Sequence, residues 1–161
     1  MTKAARNEAV ADPDVRAMAA FALGLIGDKS AEAALTPLLA DAAPLVRGRA
    51  AEALGLIDAT GSAAAIGKVA AEYVRHPAVA AMAADDEPWP AAPEAEAFKL
   101  ALFSLVRLKA YEPLAAAVMT GNGPASTWWP IAFALQRVGD AKAAPALVAL
   151  LEVRGRYTAA F

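Results

Sequence analysis

The chain has 161 residues and a net charge of −2; it is 58% hydrophobic but only 7% aromatic. Roughly three residues in ten are alanine, so the composition favours an all-α domain with one sizeable core. The absence of cysteine excludes a disulfide framework or thiolate metal site, and the acidic balance gives no electrostatic case for nucleic acid or anionic lipid. No apolar run approaches the roughly 20 residues of a membrane-spanning helix, and the amino terminus lacks the apolar core of a secretory signal. No membrane association is therefore expected, and a cytoplasmic location is the default.

Residues 2–11 form an alanine-rich stretch long enough for one or two helical turns. A helix signature opens at Asp12: Asp12 or Asp14 can cap it, Pro13 suits its first turn, and Gly27 can end it. Between these, Val15, Ala19, Ala22, Leu23 and Ile26 form one stripe of a 3.6-residue period. A partner helix is expected over 31–39. After a step of 31 residues the stripe returns as Val46, Ala50, Ala53, Leu54 and Ile57, followed by a partner helix over 63–73.

These residues resemble the HEAT repeat, in the short form first noted in phycobilisome lyases. The resemblance rests on Asp12, Pro13, Val15, Arg16, Leu23, Gly24, Ile26, Gly27 and Asp28, and again on Pro44, Val46, Arg47, Leu54, Gly55, Ile57 and Asp58. It implies a right-handed α-solenoid of about four HEAT-like helical hairpins, an armadillo-like stack. It also implies that Arg16 and Arg47 bond to acidic residues of adjacent turns as a ladder between repeats, with Asp14, Asp28, Asp41 and Asp58 as candidates. Gly24 and Gly55 sit in the last turn of a helix, where glycine costs about 1 kcal/mol against alanine. Close approach of a neighbouring helix is the simplest compensation.

Residues 76–93 break the pattern with four prolines, the acidic triplet Asp85, Asp86 and Glu87, and Trp89 between Pro88 and Pro90. Proline flanks favour an extended loop, and the adjacent carboxylates lack the spacing of a calcium loop, so no metal is expected. The stripe resumes 51 residues after its second copy as Ala97, Ala101, Ser104, Leu105 and Leu108 on a helix over 94–109. A short helix through Leu114 and Val118, a turn-rich connection over 120–126 and a fourth stripe from Thr127 to Val138 follow, then a last helix over 143–153. Phe98 and Trp128 stand where the first two units carry arginine, and Trp129 lies beside them.

The period places a fifth stripe near Thr158, so the chain is read as one repeat domain over 1–161, interrupted at 76–93, and as a piece of a longer protein with other domains. His76, the lone histidine, has no nucleophile or acid patterned around it, and no catalytic residue or cofactor site emerges. The expected function is a scaffold whose second helices line a concave face and bind a protein or peptide. Candidate binding residues are Trp89, Trp128, Trp129, Phe98, Arg49, Arg107 and Arg137. Two alternatives are nucleic-acid binding on that face, with Trp128 or Trp129 stacking on a base, and the cofactor-lyase activity found among HEAT-like proteins.

Overall fold

A computed structural model describes residues 12–121 and 123–151. The turns expected at 2–11, residues 152–153 of the last helix and the stripe near Thr158 lie outside the described residues.

Helix α1 (Pro13–Ile26) begins where the Asp12 carboxylate accepts from the Asp14 amide at 2.9 Å and ends at Gly27, with φ 78°. Asp28 caps a 3₁₀ turn (Lys29–Ala31) by accepting from the Ser30 amide. Helix α2 (Glu32–Leu35) then tightens into a second 3₁₀ turn (Thr36–Ala40), where one continuous helix was expected. The cause is Pro37, which has no N–H to bond the carbonyl of Ala33.

Helix α3 (Pro44–Leu56), the turn Thr60–Ser62 and helix α4 (Ala63–Tyr73) repeat this plan. Residues 76–93 hold one turn of helix, α5 (Pro77–Ala80), capped by His76 through a bond from the Ala78 amide to Nδ1, and then a loop. Helices α6 (Pro93–Arg107) and α7 (Tyr111–Val118) follow. The expected turn at 120–126 contains a small antiparallel ribbon, β1 (Met119–Thr120) with β2 (Gly123–Pro124). Helix α8 (Trp129–Val138), a 3₁₀ turn (Ala141–Ala143) and helix α9 (Ala144–Leu150) complete the described chain.

The second helices of successive units, α1, α3, α6 and α8, pack one on the next. The first helices run beside them: the Thr36–Ala40 turn against α3 and α4, and α4 against α6 and α7. The product is an all-α solenoid of stacked hairpins. Helix α3, surrounded by α1, α6 and the Thr36–Ala40 turn, buries its entire stripe of Val46, Ala50, Ala53, Leu54 and Ile57. Helix α1 differs. It buries Arg16, Ala17, Ala20, Leu23 and Gly24, while Val15 and Ile26 of its expected stripe are 45% and 73% exposed. Among the described elements α3 is its main neighbour, so its buried face is the one turned to α3.

Two details fix the packing. A Cβ added at Gly24 would lie 2.7 Å from the Ala53 Cα, and one at Gly55 would lie 2.7 Å from the Ser104 Oγ, so both glycines mark close helix contacts. Ser104 strengthens the second contact by donating to the Ala51 carbonyl at 2.6 Å. The unit ends also share a left-handed residue at one register: Gly27, Asp58 (φ 57°), Lys109 (φ 51°) and Gly139. This corrects the match of Asp58 with Asp28. Asp58 holds the place of Gly27, and Ala59, which cannot cap, holds the place of Asp28, so the Thr60–Ser62 turn has no side-chain cap.

Candidate functional site

The arginines at the start of the second helices belong to the stack. Arg16 donates from Nε and Nη2 to Asp41 at 2.9 and 2.8 Å, and the fully enclosed Asp41 side chain also accepts from the Ala43 amide. Burial pushes the Asp41 carboxyl up, but the bonds from Arg16 and Ala43 outweigh it and hold the group below its ordinary value. One step on, Arg47 forms a fork with Glu72 at 2.8 and 2.5 Å, donates to the Leu39 carbonyl and lies 4.9 Å from the Tyr73 ring centroid. The Arg47 bonds likewise hold Glu72 low.

Of the four aspartates considered as partners, only Asp41 meets either arginine in these bonds. Asp28 caps its turn, Asp58 pairs with Lys29 at 3.1 Å on the surface, and Asp14 is exposed in the first turn of α1. Glu72 was missed although a signal existed, since it lies one 31-residue step after Asp41.

At Phe98 and Trp128 the ladder changes chemistry. The two rings stack with centroids 6.1 Å apart and planes at 17°, and they are 0% and 1% exposed. Neither can serve as a surface binding residue, which corrects the expectation for both and removes Trp128 as a base-stacking platform. The indole N–H groups of Trp128 and Trp129 both donate to the Asp86 carbonyl, at 2.8 and 3.2 Å, and the Trp129 amide donates to the Ala84 carbonyl at 2.8 Å. With Val79 and Ala84 buried and Glu87 facing Lys99 at 3.6 Å, the insertion is fastened to the α6–α8 seam. The stretch that broke the repeat thus supplies the acceptor for Trp128, one of the two residues that stand in place of its arginines. Trp89 projects from it, 95% exposed.

A second group of residues lies along the open surface of the second helices. Phe21, Glu52, Phe103 and Phe133 occupy one register, separated by the same steps of 31, 51 and 30 residues as the stripes, and each is partly exposed. Arg49 joins the first two, with its guanidinium 5.0 Å from the Phe21 centroid and Nη1 2.6 Å from Glu52. Phe103 and Phe133 meet edge to face at 5.4 Å, and Trp129 extends the row at 6.3 Å from Phe133. Beside the row, Glu52, Leu56, Leu100, Phe103, Ser104 and Arg107 line a pocket of about 240 Å³. Arg107 and Arg137, one turn beyond Phe103 and Phe133, are exposed.

Phe21, Glu52, Phe103 and Phe133 were absent from the sequence expectations, because the stripes follow the apolar face expected to be buried; stepping a position off that stripe along the repeat finds them. Among the described residues no three His, Cys, Asp or Glu side chains gather to hold a metal ion. No helix there is long and apolar enough to cross a membrane.

Comparison with known families agrees with this architecture. No curated protein matches the chain. A family profile described as HEAT repeats matches residues 3–83, half of the chain, covering the two units with arginine ladders and the start of the insertion. The stacked hairpins, the repeated arginine ties and this match place the chain in the HEAT repeat family.

Proposed function

We propose that the chain is a non-catalytic interaction module that binds a protein or peptide segment along the open face of its second helices, the concave side expected of such a stack. HEAT repeats are in general protein-interaction scaffolds, and the observation that supports this face is the row of Phe21, Phe103, Phe133 and Trp129. Phe103 and Phe133, partly exposed and in register on the adjacent helices α6 and α8, with Trp129 one turn before Phe133, offer the rigid apolar anchors on which interfaces concentrate their binding energy. The pocket beside Phe103 is of a size to take one side chain.

Selection of peptides from a random display library against the full chain tests the proposal. The expected binders weaken at least tenfold on Phe103→Ala, with the helical circular dichroism signal retained. Binders insensitive to Phe103→Ala but lost on Trp89→Ala would move the site to the insertion. The nucleic-acid alternative has less support, since Arg16 and Arg47 are committed to the ladder and Trp128 is buried. A labelled duplex DNA is expected to show no shift even at low salt.

A further inference from the structure

On that same face, and resting on the reading just given, we infer that the preferred partner is an acidic segment in polyproline II conformation, with two carboxylates three residues apart. Arg16, Arg47 and Arg49 are satisfied by Asp41, Glu72 and Glu52, and Lys99 by Glu96 and Glu87. Arg107 and Arg137 are exposed and, unlike these, have no hydrogen bond or ion pair among the described residues. Asp140, close to Arg137 in the chain, is turned to the Lys142 amide. Two guanidiniums therefore stand ready for carboxylates brought by a partner, in the fork geometry that suits them.

Position then sets the spacing. The two arginines share one register in adjacent packed helices, four residues after the Phe103 and Phe133 pair that meets at 5.4 Å. Packed helix axes lie about 8–10 Å apart, so the arginines repeat at that interval across the face. A β-strand returns a side chain to the same face after about 7 Å, which falls short. A polyproline II segment returns one after three residues and about 9 Å, which fits. Its proline rings would lie against the aromatic row while each acidic residue reaches an arginine, a mode that uses both halves of the surface.

The test is fluorescence anisotropy of the full chain with labelled (Glu-Pro-Pro)₄, (Gln-Pro-Pro)₄ and (Lys-Pro-Pro)₄ peptides, which share a backbone conformation and differ in charge. The glutamate peptide is expected to bind at least tenfold more tightly than either control. Arg107→Gln and Arg137→Gln are each expected to weaken it about two- to fivefold, the range of an exposed ion pair. Both residues are exposed, so the variants keep the fold; Phe103→Leu serves beside Phe103→Ala as the gentler aromatic control. If the glutamine peptide binds as tightly and is lost on Phe103→Leu, the acidic preference is wrong and the face stands. If the lysine peptide is preferred, or the arginine variants bind the glutamate peptide unchanged, the acidic preference is likewise overturned. Absence of binding by all three peptides at millimolar concentration would sink the preference and leave the face to the display selection.

Discussion

Lys109 carries a cost that its counterparts avoid. It takes a left-handed backbone, φ 51°, at the register where Gly27 and Gly139 end their helices. Side chains with a Cβ are disfavoured there, whereas glycine adopts the conformation freely. Lys109→Gly is expected to stabilise the fold by about 1 kcal/mol, read as a higher urea midpoint at an unchanged slope. Asp58 holds the same conformation but is the poorer target, since aspartate tolerates it and this one also receives Lys29.

At the scale of elements, two kinds of seam join the second helices. Between α1 and α3 the seam is close backbone contact at Gly24, where a methyl group would press on the Cα of Ala53, an atom that cannot turn aside. Gly24→Ala should therefore destabilise by about 1–2 kcal/mol, overpacking outweighing the gain in helix propensity, as thermal melts would show. Between α6 and α8 the seam is the Phe98–Trp128 stack, tied to the insertion through Asp86. Trp128→Ala is expected to cost about 3–5 kcal/mol, the range for truncating a buried aromatic side chain. Trp89→Ala, at a 95% exposed position of the same insertion, should stay within about 0.5 kcal/mol. Denaturation of the two variants side by side separates the anchored part of the insertion from its free tip.

Over the whole molecule these seams make the two halves respond differently to acid. The amino-terminal half is tied by Asp41 and Glu72, whose folded carboxyls are held below their ordinary values. A group lowered in this way contributes stability above its unfolded pKa of about 4 and loses it as the pH falls through the folded value. The stack at Phe98 and Trp128 is held by ring contact and by a bond to the Asp86 backbone carbonyl, neither of which titrates. Hydrogen exchange, corrected for intrinsic rates, should show α1 and α3 opening before α6 and α8 as the pH drops below about 4. Asp41→Asn should reduce that difference; Glu72, 59% exposed, contributes the smaller share.

How much of this was legible in the sequence follows from what a repeat records. The hairpin plan, the second-helix stripes and the tight glycines could be found because each unit meets the same neighbours and so repeats the same residue types at one register. The same step, applied beyond the buried stripe, also reaches Glu72 and the aromatic row. What it could not reach were contacts made once. That Asp86 would accept from both Trp128 and Trp129 depends on a loop lying 42 and 43 residues before them in the chain and folding back onto their seam. Exposure was equally out of reach: Phe98 and Trp128 broke the pattern and looked available, yet burial against each other consumed them. Local periodicity was enough to determine a stack of helices. Only tertiary packing decided which departures became core and which, like Phe103, Arg107 and Arg137, were left facing a partner.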